Sequence, residues 1–194
     1  MKKRMFIPVL SFSLLVSLQS RAGEFHVDKK QENEVKFISD APLENFEGVT
    51  DHIDGYVYWE GDDMTSSSAV YFEVDLNTLD TGIGLRNRHM RENYLETDRY
   101  PQTSFKGKIA RTTQGTNDTL LVSAEGNMFI HGVERPLVVE AKLIPKGSGY
   151  RIVSRFYVKL SDFEIEIPSI MFYKIDENMD IRLDFYIEKV NGAE

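Results

Sequence analysis

The chain has 194 residues and no cysteine, and its 31 acidic and 23 basic residues give a formal net charge of −8. The lack of cysteine excludes disulfides, thiolate metal sites and attachment of a lipid to a cysteine. A negative surface repels phosphate backbones and anionic lipid, so we expect no binding to nucleic acid. The length is that of one domain with a substantial core.

The N-terminal segment, residues 1–22, has the pattern of a cleaved secretory signal peptide. Basic residues at its start precede an uncharged, mostly apolar stretch, residues 5–18, and small residues then allow cleavage between Ala22 and Gly23. The apolar stretch is shorter than the roughly 20 residues that cross a bilayer, which argues against a membrane anchor. We therefore expect a mature domain of residues 23–194 in a bacterial periplasm, with no stable membrane anchor after signal removal.

The first half of the mature chain contains a candidate helical turn and a clear strand. Asp40 can cap a turn at residues 40–46, with Pro42 in its first turn. Residues 70–76 alternate between apolar and mainly polar side chains, which is the period of a strand with one dry face. The two segments are too short to indicate a fold by themselves.

Residues 87–96 are the best helix candidate. Met90 and Tyr94 are four residues apart and therefore lie on one side of a helix, with Leu95 beside them. Pro101 stops any continuation of the helix. We predict one short helix here, between two strands.

The rest of the chain is dominated by strand periodicity. Alternation with a period of two marks residues 105–109, 137–143, 150–160 and 181–187. Turn-forming residues separate the strands at residues 61–63, 114–118, 131–136, 146–149 and 176–178. Many short strands with tight turns favour an antiparallel sandwich or an up-and-down barrel. No long linker divides the chain, so we predict one all-β domain.

Residue patterns for catalysis or metal binding are nearly absent. The four histidines, His26, His52, His89 and His131, stand far apart in sequence, so a metal site would have to assemble across the fold. The chain has neither a GxSxG nucleophile motif nor a glycine-rich phosphate loop. We therefore predict no enzyme activity, no catalytic residue and no metal site.

The segment that contains Arg86, Arg88, His89 and Arg91 is basic, although the chain is acidic. It can be a solvated helix face, whose ion pairs with nearby acidic residues such as Glu96 contribute at most about 1 kcal/mol each. It can also be a polar anchor at the mouth of a cavity, where guanidinium groups donate hydrogen bonds to a ligand head-group. The residues alone leave both interpretations open.

Three stretches of the sequence occur in the order of a known family pattern. Their matching residues are Thr81, Gly82, Arg88, His89, Arg91, Leu95, Tyr100, Pro101 and Phe105, then Gly126, Gly132, Val133 and Pro136, then Ser161, Asp162, Phe163 and Pro168. These stretches resemble the YceI family, also called lipid- or polyisoprenoid-binding YceI-like domains. The sequence departs from the family pattern at Asn87, where the family has aspartate, at Met90, where it has leucine, and at Phe129, where it has threonine.

The resemblance implies a lipocalin-like antiparallel β-barrel of about eight strands that encloses an isoprenoid chain, in agreement with the alternation. It implies that Arg86 and His89 contact the head-group of the ligand at the mouth, while Met90 and Leu95 close the entrance. The residues that it implies for the tunnel wall are Trp59, Phe72, Val74, Phe105, Phe129, Phe156 and Phe185. These aromatic side chains would instead form an ordinary core in a barrel filled by its own side chains.

The sequence thus predicts a periplasmic, non-catalytic carrier of a polyisoprenoid or a related lipid such as a quinone-like amphiphile, with no cofactor besides the bound lipid. A second hypothesis is a barrel-based enzyme or haem-binding protein that uses His89 or His131. A third is a stress-response interaction protein with a filled barrel. The sequence leaves open whether the chain forms a homodimer.

Overall fold

A computed structural model describes residues 23–40, 45–167, 169–170 and 173–190. The predicted signal peptide, residues 1–22, and most of the predicted helical turn at residues 40–46 lie outside this part of the chain. Within it, no helix is both long enough and apolar enough to cross a membrane.

Antiparallel strands make up most of the described chain. They are β1 (Gly23–Val27), β2 (Glu34–Ser39), β3 (Phe46–Thr50), β4 (Ile53–Trp59), β5 (Ser68–Asp75), β6 (Gln102–Gln114), β7 (Leu120–Ile130), β8 (Val133–Lys146), β9 (Gly149–Lys159), β10 (Ser169–Ile170), β11 (Tyr173–Lys174) and β12 (Asn178–Lys189). The five segments with strand periodicity correspond to β5, β6, β8, β9 and β12. β10 and β11 form a small separate hairpin, and the other strands form one sheet.

The sheet closes on itself into a barrel. Its strand order is β1-β4-β5-β6-β7-β8-β9-β12, and β12 pairs in turn with β1. The edge of β12 that pairs with β1 also pairs with β2, and β2 pairs with β3. β1 with β2, and β3 with β4, therefore act as two interrupted strands. The result is a closed antiparallel barrel with eight strand positions, which confirms the predicted fold.

A helical segment connects β5 to β6. Its three parts are a 3-10 turn (Leu76–Thr78), helix α1 (Gly84–His89) and a π-helical turn (Met90–Tyr94). A separate 3-10 turn (Leu160–Phe163) follows β9. The helix predicted at residues 87–96 therefore begins and ends earlier than expected. Its start lacks a sequence signal because Ile83, at the capping position, makes no side-chain cap. Its end is set by Glu96, whose φ of 45° is not helical.

The two ends of the barrel differ. Where β1 begins and β4 ends, the rings of Phe25 and Trp59 stack with centroids 4.8 Å apart, and Tyr150 lies against Phe25 at 5.5 Å. Phe25 and Trp59 are buried, so aromatic rings close this end, which we call the plug end. The opposite end carries α1 and the β7–β8 turn, and we call it the helix end.

The β7–β8 hairpin at the helix end is tighter than predicted. His131 and Gly132 alone form the turn, with φ values of 51° and 78°. β8 begins at Val133, within the turn predicted at residues 131–136. Two successive residues with positive φ give a turn whose twist matches that of the strands. The remaining residues of the predicted turn, including Pro136, therefore extend β8.

β8 and β9 separate towards the helix end. Their ladder runs from the hairpin turn to the pair Ala141 and Ser154, and residues 133–140 of β8 form no ladder with residues 155–159 of β9. At the branch point the Ser154 hydroxyl donates a hydrogen bond to the carbonyl oxygen of Glu140 at 2.6 Å. β9 continues to pair with β12 beyond this point. Within the described chain, one edge of β8 thus has no neighbouring strand along residues 133–140.

Candidate ligand-binding cavity

The barrel encloses a cavity of about 530 Å³. This volume lies within the roughly 300–1,000 Å³ of pockets that hold small molecules. The wall follows from the alternation, because every second side chain of a strand points to the same face. On β5 these are Val70, Phe72 and Val74, and on β9 they include Ile152 and Phe156. The interior is therefore hollow, and the filled barrel that the sequence left open is not observed.

The structure places five of the seven predicted tunnel residues on the cavity wall. They are Phe72, Val74, Phe105, Phe156 and Phe185. The rings of Phe72 and Phe185 meet edge to face, with centroids 5.0 Å apart. Contact of these residues with a ligand stays a prediction, but their position on the wall is established.

Two predicted tunnel residues, Trp59 and Phe129, do not line the cavity. Trp59 belongs to the aromatic stack at the plug end. Phe129 lies on the outer face of β7, because its neighbours Met128 and Ile130 point inward and line the cavity. The alternation of Val122, Ala124, Met128 and Ile130 could have indicated this face from the sequence.

The four residues predicted for the mouth, Arg86, His89, Met90 and Leu95, all border the cavity. They lie on α1 and the π-helical turn that follows it, so the helical segment forms the rim of the cavity at the helix end. Among the residues that the structure describes, Lys36 on β2 is the only other charged residue on the wall, and its Nζ lies 3.4 Å from Glu47 Oε2. These three groups are the cations of Arg86 and Lys36 and the titratable ring of His89.

Arg86 is held in a fixed orientation at this rim. Its Nε donates to Thr81 Oγ1 at 3.1 Å, and its Nη2 donates to the carbonyl oxygen of Thr81 at 2.9 Å. The guanidinium carbon lies 4.7 Å from the ring centre of Phe46, within the range of a cation–π interaction. Sequence analysis missed Phe46 as a wall residue because β3 is short and half-buried.

Asn87 holds the loop before α1 in place. This buried side chain accepts hydrogen bonds from the backbone N–H and the hydroxyl of Thr81, at 2.8 and 2.6 Å. Its Nδ2 donates to Asp80 Oδ1 at 2.7 Å, and the N–H of Gly82 donates to the same oxygen at 2.8 Å. The Asn87 amide, and then the Gly82 N–H, hold the pKa of Asp80 below its usual value. The asparagine thus has a structural role that needs its N–H₂ group.

The two histidines proposed as bases or haem ligands occupy different environments. His89 is exposed at the rim, whereas the mostly buried side chain of His131 lies outside the cavity wall. His131 Nδ1 lies 3.2 Å from the carbonyl oxygen of Phe163, and its ring meets Tyr100 edge to face. His131 therefore anchors the β7–β8 turn. The described residues contain no group of three or more His, Asp or Glu side chains that could hold a metal ion.

Within the described chain, Arg88 and Arg91 do not form the ion pairs with nearby acidic residues such as Glu96 that the sequence suggested. Glu96 pairs with Arg99 at 2.8 Å. Arg91 instead donates to the carbonyl oxygen of Asn77 at 3.1 Å. Arg88 is exposed on α1.

Comparison with known sequences gives one family. A model of the family described as the YceI-like domain matches residues 25–187 of the chain. The chain is similar to a UPF0312 protein of Vibrio parahaemolyticus, with 24% identity over 177 residues that cover 86% of this chain and 90% of the relative. It is also similar to a protein named YceI from Salmonella newport, with 26% identity over 176 residues that cover 85% of this chain and 88% of the relative.

Solved structures share the barrel. BcnA of Burkholderia cenocepacia superposes with a TM-score of 0.66 at 17% identity, over 83% of this chain and 98% of that chain. A polyisoprenoid binding domain from Saccharophagus degradans superposes with a TM-score of 0.63 at 16% identity, over 86% of this chain and 98% of that chain. At such identities the likeness shows a common fold.

Proposed function

This chain belongs to the family of YceI-like domain proteins, and from that membership we propose that it binds a polyisoprenoid or a related long-chain lipid inside its barrel. The observation that carries the proposal is the hollow, almost wholly apolar interior of about 530 Å³. Each methylene group removed from water contributes about 0.8 kcal/mol, so such a wall favours an apolar tail. The fold shared with a polyisoprenoid binding domain gives further support.

The ligand enters from the helix end, with its head-group at the rim. Arg86 and His89 supply hydrogen-bond donors there, and polar groups at a mouth orient a ligand whose tail is buried. Met90 and Leu95 lie over the tail behind the head-group and shield it from water. A head-group that accepts hydrogen bonds, such as a quinone or a phosphate, suits these donors.

The protein acts as a carrier in this proposal, without chemical change to the lipid and without a further cofactor. The pattern of residues 1–22 supports export and cleavage after Ala22, which would give a periplasmic domain that starts at Gly23. Expression of the full chain in a Gram-negative host, followed by mass measurement of the protein in the periplasmic fraction, tests this. A mass that includes residues 1–22 would contradict cleavage.

The binding proposal is tested directly by mass spectrometry of an organic extract from the purified mature protein. We expect an isoprenoid lipid in near-stoichiometric amount, and its mass would distinguish a quinone from a polyprenyl alcohol or phosphate. An extract that contains no lipid, together with no binding of an added polyprenyl probe, would contradict the proposal.

A matched pair of variants tests whether the lipid occupies the cavity. Ala141 lines the cavity, whereas its neighbour Lys142 is exposed on the outer face of β8. Ala141→Phe places a ring in the tunnel and should reduce binding of the polyprenyl probe at least about tenfold, because several methylene groups lose their place on the wall. Lys142→Phe adds the same ring outside and should bind like the wild type. Equal binding by both variants would place the ligand elsewhere.

A further inference from the structure

The rim of the cavity exposes apolar side chains to solvent. Ile83 and Leu85 border the cavity, yet they are 48% and 59% exposed. Single exposed apolar residues are common on protein surfaces. Here two exposed apolar residues are separated by a single residue and lie together at the opening of an apolar cavity. Their exposure therefore extends the apolar surface of the cavity outward into solvent.

The loop that carries these residues projects from the barrel. Gly82 has a φ of 76°, and a side chain at Gly82 or at Gly84 would meet no other atom within 4 Å. The space beside the two glycines is thus open within the described chain. Leu85 is held at the start of α1, whose position is fixed by the hydrogen bonds of Asn87 to Thr81 and Asp80.

The same surface is basic on an acidic protein. Residues 80–94 contain Arg86, Arg88 and Arg91 against two carboxylates, those of Asp80 and Glu92, whereas the whole chain has a net charge of −8. Such a distribution turns the basic face of the molecule towards an anionic surface and keeps the other faces away from it. The net charge would predict repulsion from anionic lipid, and the local excess of cations in residues 80–94 departs from that rule.

We infer that this rim surface, formed by Ile83, Leu85, Arg86, Arg88 and Arg91, docks onto an anionic lipid bilayer. This inference rests on the proposed function, because a carrier must meet a membrane to load or release its lipid. Ile83 and Leu85 enter the boundary between head-groups and acyl chains, and the arginines contact lipid phosphates. Two apolar side chains and three cations give reversible attachment, which suits a protein that must leave the membrane again.

A bilayer fits this surface better than a partner protein does. The apolar residues are few and border an opening rather than forming a flat patch. The lysine and arginine positions in residues 80–94 are all arginines, which bind phosphate with paired N–H groups. Docking at this place would also set the mouth of the cavity against the lipid. The tail could then pass from bilayer to barrel without crossing water.

Co-sedimentation of the mature protein with vesicles tests the inference. We expect binding to vesicles of phosphatidylcholine mixed with phosphatidylglycerol, little binding to vesicles of phosphatidylcholine alone, and release at high salt, where charge attraction is screened. Arg88→Gln should weaken binding about fivefold, as expected for one basic residue at an anionic surface. Leu85→Gln should weaken it about tenfold, because a leucine side chain leaves the apolar phase.

Matched controls lie near the plug end. Arg111→Gln changes the charge equally, and Leu121→Gln removes an apolar side chain that is 40% exposed, so neither should alter vesicle binding. The inference would be overturned if the wild type did not bind the vesicles, or if it bound neutral and anionic vesicles equally. It would also be overturned if the control variants lost as much binding as Arg88→Gln and Leu85→Gln.

The docking inference and the lipid-binding proposal can fail separately. Arg88 does not line the cavity, so Arg88→Gln should keep full binding of a polyprenyl probe in solution without vesicles. A wild type that binds the probe but no vesicles would overturn docking alone. A wild type that binds vesicles but no probe would contradict the proposed function.

Discussion

Asn87 determines the geometry of the rim more directly than any residue that borders the cavity. Its amide joins Thr81 to Asp80, and Arg86 donates in turn to Thr81. Arg86 is therefore oriented by a chain of hydrogen bonds that begins at Asn87. The family pattern has aspartate at this position. An aspartate here would place a second carboxylate within hydrogen-bond distance of the Asp80 carboxylate.

We expect Asn87→Asp to lower the free energy of unfolding at neutral pH. In the wild type the pKa of Asp80 is lowered by Asn87 and Gly82, so this carboxylate stabilises the fold above its unfolded pKa. That contribution is lost as the pH falls through the folded pKa. In the variant the pKa of Asp80 rises, because a donor is replaced by a negative charge. The deficit relative to the wild type should therefore shrink on acidification, as urea unfolding at a series of pH values would show.

The exchanged pair provides the control for this prediction. Asp80→Asn combined with Asn87→Asp restores one amide and one carboxylate at the contact, and the new carboxylate can still accept from Thr81. The double variant should recover most of the stability at neutral pH. A single variant as stable as the wild type would show that the Asn87 amide does not hold the loop.

The strands that the sequence revealed are those with one apolar and one polar face. β5, β6, β8, β9 and β12 alternate clearly, and their inward residues form nearly half of the cavity wall. β4 was missed because it has apolar or aromatic side chains on both faces. Ile53, Val57 and Trp59 are buried, and Tyr56 and Tyr58 lie on the other face. A period of two is visible in the sequence only where the buried face of a strand is apolar and its exposed face is polar.

Alternation predicts which side chains point inward, but it does not predict whether they meet. Phe72, Phe105 and Phe156 could have interdigitated across the axis, and the barrel leaves a cavity instead. The diameter of the closed sheet decides this, and it depends on strand number and stagger rather than on one segment. For the same reason the exposure of Ile83 and Leu85 could not be predicted from sequence, since local composition does not place a loop at the rim.

The separation of β8 from β9 should appear in hydrogen exchange. Among the described strands, residues 133–140 pair on the β7 side only, whereas residues 141–143 pair on both sides. We expect about half of the amides at residues 133–140 to exchange rapidly, because strand amides point alternately to the two edges. Amides at residues 141–143 of the same strand should be protected throughout and serve as the internal control.

Uniform protection along β8 would mean that another segment covers this edge. The residues along the edge suit exposure, because Glu134, Arg135, Pro136 and Glu140 hinder pairing with a strand of another molecule. Rapid exchange in a protein that stays monomeric would therefore support a protected opening in the barrel wall. Slow exchange that speeds up on dilution would instead indicate a dimer formed through β8.

The whole molecule is a barrel closed at one end and open at the other. Phe25, Trp59 and Tyr150 close the plug end, while Ile83, Leu85 and Arg86 border the opening at the helix end. This polarity separates residues that hold the fold together from the residues proposed to meet the ligand. A lipid tail that enters from the helix end reaches the middle of the barrel before it reaches the aromatic stack.

Trp59 can report this arrangement, because it is the only tryptophan in the chain. It is buried in the plug and does not line the cavity, so its emission should stay unchanged when a polyprenyl alcohol binds. Trp59→Phe combined with Phe105→Trp moves the reporter to the cavity wall, where the same ligand should shift or quench the emission. Both proteins should lose their native emission together with their circular dichroism on urea unfolding.

The comparison of these two reporters measures how far the tail reaches. A response at position 105 alone places the ligand between the rim and the middle of the barrel, as a cavity bounded by the aromatic stack requires. An equal response from Trp59 in the wild type would mean that the ligand separates the rings of Phe25 and Trp59. The plug would then be a second gate rather than a fixed end, and the barrel would have to open at both ends to release its lipid.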